Sequence, residues 1–404
     1  MPPTPRINWA LLSLFAVSSI AVFVASLLFP AFRAQSPAPL RDLILPPPKP
    51  VIISVLYSTE KEAWLTEAVA GFETTRPKVN GHPVKVQLEK KGSREIVLSV
   101  LDGSRKPDIV SPASTLQIAI LQDQSTTAFG APVVSMANQQ TCRSVVKTPL
   151  VLVAWDERAK ALWGSSGPGS DLWRNLQSAL VSPAGWSAYG HADWGYIKFG
   201  QTDPLKSNSG FMTILLLTYD YYGKTSGLTA QDITSNQDYQ AWFLGFEHSI
   251  SQFEQSTGPL MDKMIAYGPS TYDIVSVYEA TAIEQSDNAV GRYGTLHVYY
   301  PPVSVWSDHP FCVLNADWVT PEKAEASQLF INYLLNPEVQ QEALMKYGFR
   351  PVDSSIILDQ PGSPFQKYSI NGFTCDLSAL PTIELPPGNV LNILLDFWSR
   401  NVAR

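Results

Sequence analysis

The chain has 404 residues, a formal net charge of −7 at pH 7 and 45% apolar residues. A chain of this length exceeds the size at which one hydrophobic core usually stops growing, so we expect two lobes or domains. Because the net charge is negative and no lysine or arginine run occurs, the sequence lacks the basic surface of a nucleic-acid-binding protein. Charged residues make up 16% and aromatic residues 11%, which is typical of a packed globular protein and excludes a disordered one.

The first feature along the chain is an uncharged segment from Trp9 to Phe29, WALLSLFAVSSIAVFVASLLF. At a helical rise of about 1.5 Å per residue, its length matches a bilayer core of about 30 Å. The alternative is a cleaved signal peptide, but such peptides have shorter apolar cores and a small-x-small cleavage site. The one plausible triplet, Ser36-Pro37-Ala38, lies among prolines. We therefore expect an uncleaved transmembrane helix over 9–29 and a cytoplasmic N-terminus over 1–8.

Residues 30–50 contain seven prolines and end in LPPPKP. Such a segment favours extended polyproline conformations and acts as a semi-rigid spacer, so we expect a linker that holds a globular body away from the membrane. No later segment is apolar enough to span a membrane again.

The spacing of the cysteines and histidines indicates no redox motif or metal site. Cys142, Cys312 and Cys375 form no CxxC pair, so one disulfide is possible and its partners are open. The five histidines show no HxH or HExxH spacing, so no metal site is expected, and no motif indicates a cofactor.

From Val51 onward, strand-like and helix-like segments alternate. VIISVLYS is an apolar run of strand length, and Thr59 to Glu62 after it has the T-x-x-E form of a capping box. PVKVQLE, a helix from Ser93 and PDIVS continue a β-α-β-α-β order, which predicts a largely parallel sheet covered by helices.

A second alternating series follows from residue 148. It contains the strand-like TPLVLVAW, GYIKFG, YDIVSVYE and HPFCVL, with apolar helical segments between them. Thr320-Pro321 and Asn336-Pro337 are helix starts with proline at the first position, and Gly348 is a helix stop. A last amphipathic helix is expected near Val390 to Trp398.

Polar clusters recur where a strand gives way to a helix. In open parallel sheets, ligands bind beyond the carboxyl ends of the strands, where helix N-termini converge. Each cluster has a local alternative: Thr59, Ser114, Ser207 or Ser209 as a helix cap, and Tyr272, Asp273 and Glu279 as groups that satisfy strand ends or pair with lysine. Their joint recurrence favours a ligand site between two lobes. The candidate ligand-binding residues are Ser58, Thr59, Ser111, Ser114, Thr202, Asp203, Ser207, Ser209, Gly210, Tyr272, Asp273 and Glu279.

Three segments carry a family resemblance: TDPLKSNSG, YDIVSVYE and, above all, DHPFCVLNADWVTPEKAEASQLFINYLLNPEVQQEALMKYGFRPV. Over roughly residues 51–404 they resemble type II extracytoplasmic solute-binding proteins, in the branch with sulfate and molybdate receptors. The chain also resembles the solute-binding region of bacterial membrane proteins with a von Willebrand factor A domain, although the D-x-S-x-S motif of that domain is not found here.

The resemblance implies an α/β, two-lobed periplasmic-binding-protein type II fold behind the N-terminal helix. Lobe 1 would comprise 51–148 and 303–404, and lobe 2 would comprise 149–302, with crossing strands near Thr148 to Val153 and Tyr299 to Val303. By the same analogy, Ser58 and Thr59 on one lobe and Ser207, Ser209 and Gly210 on the other would contact the ligand.

The leading functional hypothesis is a membrane-anchored extracytoplasmic protein that closes two lobes on a small polar solute, for an importer permease or a sensor. Hydroxyl and N–H groups suit an oxyanion, whereas Asp203, Asp273 and Glu279 suit a cation or amine, so the charge of the solute stays open. The alternative is an envelope interaction module, for which the loop between Trp163 and Trp173 is the candidate aromatic surface. An enzyme is not expected, because no G-x-S-x-G elbow, P-loop or Cys/His arrangement occurs.

Overall fold

The computed structural model describes residues 9–28 and 48–403, and its body is built on two β-sheets. The strands are β1 (Val51–Ser58), β2 (Lys78–Val79), β3 (His82–Lys91), β4 (Ile109–Ser111), β5 (Cys142–Ser144), β6 (Val146–Trp155), β7 (Phe199–Gly200), β8 (Ile274–Tyr278), β9 (Leu296–Tyr299), β10 (Trp306–Ser307), β11 (Pro310–Val313) and β12 (Arg350–Pro351).

Helices alternate with these strands, as the sequence predicts. They are α1 (Trp9–Leu28), α2 (Glu62–Thr74), α3 (Ser93–Leu101), α4 (Thr115–Phe129), α5 (Asp156–Trp163), α6 (Leu172–Val181), α7 (Asn208–Tyr222), α8 (Ala230–Thr234), α9 (Gln237–His248), α10 (Thr257–Tyr267), α11 (Glu279–Ala289), α12 (Pro321–Leu334), α13 (Pro337–Tyr347), α14 (Pro364–Lys367) and α15 (Gly388–Asn401).

The first sheet has the order β2-β3-β1-β4-β11-β5 and forms the centre of the first lobe. β1 runs parallel to β3 and β4, which confirms the parallel β-α-β core, while β11 is antiparallel to β4 and β5. The apolar run of β1 is explained by its central position, because a strand covered by helices on both faces buries successive side chains. Ile53 packs in one core with α2 and α12, and Leu56 packs in another with α3 and α4.

The second sheet is organised around β6 and forms the second lobe. β8, β9, β10 and β12 all pair with β6 in the antiparallel sense, and β7 alone among its described strands runs parallel, to β8. The alternation of α and β is therefore present here without a parallel sheet. Helix α7, apolar nearly all round, is buried along its length from Asn208 to Tyr219, as its sequence predicts.

The chain passes between the two sheets at three places: from β5 to β6, from β10 to β11, and from β11 through α12 and α13 to β12. Cys142 of β5 and Cys312 of β11 are direct partners in the first sheet and form a disulfide, while Cys375 is a free thiol. The predicted lobe boundaries stay a prediction. After β12 the chain packs against the second lobe, because Phe365 and Phe373 belong to the same apolar cluster as Val151 of β6.

The N-terminal segment forms the helix α1. Within the described residues, no helix qualifies as a membrane span by length and apolarity. The predicted cytoplasmic N-terminus, Phe29 and all of the predicted linker except residues 48–50 lie outside the described residues.

Candidate functional site

A buried lysine lies at the carboxyl end of β1. Lys61 has no exposed surface, and its Nζ donates to the hydroxyl of Ser58 at 2.6 Å and to the carbonyl of Ser111 at 2.9 Å. Nδ1 of His309, which is also fully buried, lies 3.3 Å from the same nitrogen. The predicted site residues Ser58 and Ser111 are thus brought together, and what they surround is an amine of the protein itself.

Burial lowers the pKa values of both Lys61 and His309. It lowers the pKa of Lys61 to about 7, although the negative charge of Glu60 acts in the opposite direction. Burial also lowers the pKa of His309 well below its ordinary value, and the positive charge of Lys61 adds to the effect. The imidazole is therefore neutral at pH 7, and the ammonium is partly deprotonated.

The capping box predicted at Thr59 does not form. A short 3-10 helix covers Thr59–Lys61, and neither its cap residue, Ser58, nor that of α2 makes a side-chain cap hydrogen bond. Glu62 accepts instead from Nζ of Lys90, at 2.9 and 3.0 Å, because β3 lies beside β1 and brings a lysine within reach. Nothing in the local sequence marks Lys61 as buried.

The polar stretch before α7 forms a closed network of hydroxyl groups. The hydroxyl of Ser209 lies 2.8 Å from those of Thr202 and Thr257 and 3.3 Å from that of Ser207. Thr202 Oγ1 accepts from the backbone N–H of Gly210 at 2.7 Å. A Cβ at Gly210 would lie 2.1 Å from the carbonyl oxygen of Thr202, so only glycine fits here. The helix start is therefore secured by neighbouring hydroxyls and not by a side-chain cap on Ser207.

The two lobes are joined by a direct hydrogen bond. Ser114, at the start of α4 in the first lobe, donates to Oδ1 of Asn208, the first residue of α7 in the second lobe, at 3.0 Å. Nδ2 of Asn208 donates in turn to the hydroxyl of Tyr278 at 3.1 Å. All three side chains are buried, so the lobes meet closely at this point. Ser114 is among the predicted site residues, whereas Asn208 is not, because its local sequence is that of an ordinary helix start.

Two predicted site residues, Tyr272 and Asp273, lie at the opposite end of β8 from the lobe interface. The Asp273 carboxylate accepts from Nε1 of Trp186 at 3.0 Å and pairs with Arg158 at 3.2 Å. The hydroxyl of Tyr272 donates to Glu254 at 2.9 Å. Both side chains are buried and bonded to protein groups.

Glu279 and Asp203 also have protein partners. Glu279, buried at the start of α11, accepts from Nε and Nη2 of Arg350 at 2.6 and 2.8 Å and from the hydroxyl of Tyr300. Asp203 accepts from the backbone N–H of Leu205 at 2.8 Å and lies 3.4 Å from the amine of Lys206. Their carboxylates thus have local structural functions.

Two cavities open between the lobes, with volumes of about 440 and 420 Å³. Thr59, Glu60 and Ser256 line both of them, so the cavities lie on either side of one ridge. The larger reaches Thr281 at the start of α11, and the smaller reaches Ser207 before α7. Of the candidate residues, Thr59 and Ser207 therefore line an inter-lobe space, and a ligand contact for any of the twelve stays a prediction.

The two tryptophans that flank the loop considered as an interaction surface are packed inward. Trp173 is 1% exposed, and the half-buried Trp163 packs edge-on against Tyr299 with ring centroids 5.1 Å apart. Among the described residues, no group of three His, Cys, Asp or Glu side chains is arranged to hold a metal ion.

The fold has two α/β lobes with cavities between them. Residues 53–350 match the family described as bacterial extracellular solute-binding protein, and because the match covers more than half of the chain, the chain belongs to this family. Proteins of this family bind solutes and are not enzymes, and the family places the body outside the cytoplasm. No curated protein matches the chain.

Solved structures show the same fold at low sequence identity. The sulfate-binding protein SubI from Mycobacterium tuberculosis is 17% identical, with 82% of this chain and 94% of that chain covered and a TM-score of 0.51. The periplasmic binding protein AfuA from Actinobacillus pleuropneumoniae, with bound fructose-6-phosphate, is 13% identical, with 87% and 98% covered and a TM-score of 0.58. The ferric binding protein from Campylobacter jejuni is 12% identical, with 86% and 98% covered and a TM-score of 0.55. Type II periplasmic binding proteins are thus what this chain resembles.

Proposed function

We propose that this chain binds a small polar solute between its two lobes and passes it to an importer permease or reports it to a sensor. The observation that carries the proposal is the pair of inter-lobe cavities, each lined by residues of both lobes. Their volumes of about 440 and 420 Å³ fall in the range that small-molecule sites occupy. A ligand that touches both lobes stabilises the closed arrangement because it binds that arrangement better than an open one.

Thermal unfolding of the full-length chain against a panel of anions, amines, sugars and metal ions tests this function. A solute at 100 times its dissociation constant adds about 2.7 kcal/mol to the free energy of unfolding. The chemical class that contains the solute should therefore raise the melting temperature, and the other classes should not. Small-angle scattering should show no expansion when that solute is present. A flat response to every class would contradict solute binding and favour assembly with another envelope protein.

We further propose that α1 anchors the body to a membrane. Support comes from the sequence alone, because the segment from Trp9 to Phe29 carries no charge. The full-length chain should remain with membranes after an alkaline carbonate wash, whereas release into the supernatant would count against the anchor.

A further inference from the structure

The larger inter-lobe cavity has a strongly acidic lining. Four carboxylates line it, and none of the described residues around it is a lysine or an arginine. One of the four, Glu62, is paired with Lys90. Glu60, Asp262 and Glu284 form no ion pair within the described part of the chain. An anion entering this space would therefore approach three carboxylates without an ion-pair partner, of which Asp262 and Glu284 are exposed to solvent.

One carboxylate oxygen and one hydroxyl at the cavity have no hydrogen-bond partner among the described residues. Glu60 Oε2 is shielded from solvent and takes part in no hydrogen bond, although Glu60 lines both cavities. Thr281 is only 7% exposed and lines the larger cavity, and its hydroxyl bonds to no described residue. A buried carboxylate oxygen without a donor is costly, and a donor from outside the chain reaches this one when the Glu60 side chain turns toward the cavity.

The charges around the cavity affect one another. Loss of solvent contact raises the pKa of Glu284, and the negative charge of Asp262 raises it further. The charge of Glu60 likewise raises the pKa of Tyr278, after burial. Lys61 offsets this negative charge only in part: its amine is hydrogen-bonded to Ser58 and Ser111, although it lies close enough to Glu60 for the two charges to interact. The electrostatic potential inside the cavity is thus negative.

Aromatic rings complete the lining. Tyr278, Tyr347 and Phe349 border the same cavity as the carboxylates. The negative face of an aromatic ring attracts a cation, and carboxylates together with aromatic faces are the groups that recognise organic ammonium ions. No described lysine or arginine lines the cavity to pair with an inorganic anion.

We propose that the solute of this cavity is an organic cation with an ammonium group, held by Glu60 and by the hydroxyl of Thr281 between the aromatic rings. This inference rests on the proposed function and adds the chemical class of the solute. Asp262 and Glu284 at the cavity rim raise the local concentration of cations and exclude anions of the same size.

Calorimetric titration and thermal unfolding of the full-length chain test the charge class. The probes are tetramethylammonium and spermidine in one arm, sulfate and phosphate in a second, and Mg²⁺ in a third, all at fixed ionic strength. The E60Q variant keeps the size of the side chain and removes its charge. E325Q is the matched control, because Glu325 is an exposed carboxylate on α12 outside both cavities.

We expect at least one organic cation to bind the unmodified chain, E60Q to weaken that binding about 10-fold or more, and E325Q to leave it unchanged. Circular dichroism of both variants serves as the control for correct folding. Binding of sulfate or phosphate that E60Q leaves intact or strengthens would overturn the charge class and keep the receptor. Binding of Mg²⁺ alone would overturn the organic nature of the solute. No binding in any arm would overturn the proposed function as well.

Discussion

Glu247 is a carboxylate in the interior of the second lobe with no exposed surface. Both of its oxygens accept from Nε2 of Gln201, at 3.0 and 2.8 Å, and one accepts from Nε1 of Trp398 at 2.6 Å. No cation pairs with it among the described residues. Burial raises its pKa to about 8, and the hydrogen bonds offset only part of that shift. Near pH 7 the side chain is therefore mainly protonated.

The pH dependence of folding follows from this shift. An acid whose pKa is higher in the folded chain than in the unfolded chain loses stabilising free energy as pH rises between the two values, here from about 4.5 to about 8. Glu247→Gln, which mimics the protonated form, should remove this loss. In chemical denaturation, the free energy of unfolding of the variant should exceed that of the unmodified chain by a few kcal/mol at pH 8 and by much less at pH 5. Equal slopes against pH would contradict the prediction.

At the residue scale, the sequence indicates polar positions and not their partners. Thr59 and Ser207 were predicted at the site and do line inter-lobe cavities. Lys61 and Glu60 lie within the same few residues, yet one is buried under β4 and the other faces a cavity. That difference is decided by which strand lies beside β1, and no local pattern encodes it.

The short strand β12 connects the C-terminal part of the chain to the second lobe. Arg350 on β12 forms a bidentate, buried pair with Glu279 at the start of α11 and donates from Nη1 to the carbonyl of Cys375 at 3.0 Å. One guanidinium group therefore holds together β12, the start of α11 and the segment around Cys375. Removing one member of such a buried pair leaves an uncompensated charge in the interior, which is far more costly than losing an exposed pair.

Arg350→Met should therefore lower the free energy of unfolding by about 3–5 kcal/mol. Lys367→Met is the control, because the Lys367–Asp287 pair has side chains that are 54% and 65% exposed, and its loss should change the free energy of unfolding far less. Urea denaturation followed by tryptophan fluorescence measures both variants. A similar cost for the two changes would show that burial of the Arg350–Glu279 pair has no special weight.

Element boundaries are best predicted where a cap is local. Thr320 accepts from the backbone N–H of Lys323 before α12, Asn336 accepts from that of Glu338 before α13, and Gly348 takes a left-handed φ of 68° after it. Each of these signals lies within four residues. The strand GYIKFG reduces to Phe199–Gly200, because β8 pairs with only these two residues.

At the scale of the whole molecule, the Cys142–Cys312 disulfide encloses the second lobe. The two cysteines are separated by 170 residues, and the chain crosses between the sheets just after the first and just before the second. Both crossings therefore leave from one fixed point in the first sheet. The bridge limits how far the unfolded second lobe can extend, and such a limit stabilises the folded state more for longer loops.

Replacing both cysteines, with Cys142→Ala and Cys312→Ala together, should lower the free energy of unfolding by about 2–5 kcal/mol. Cys375→Ala, at the free thiol, is the matched control and should change it little. Dithiothreitol should destabilise the unmodified chain and leave the double variant unaffected in guanidinium denaturation. Sensitivity of the double variant to the reductant would contradict this explanation. The three cysteines of the sequence allow one disulfide, but only the register of β5 and β11 identifies its partners.

Helix α15 has one end on each lobe. Near its start, a Cβ at Gly388 would lie 2.6 Å from the carbonyl oxygen of Ala119 in α4 of the first lobe. Near its end, Phe397 packs against Phe243 of α9 in the second lobe, with ring centroids 5.7 Å apart. In the lobe closure proposed above, a helix shared by two lobes cannot follow both when they separate, so one set of its contacts has to be exposed to water. The cost of the proposed opening is thus set partly by α15, and we expect substitutions along this helix to shift solute affinity without contacting the solute.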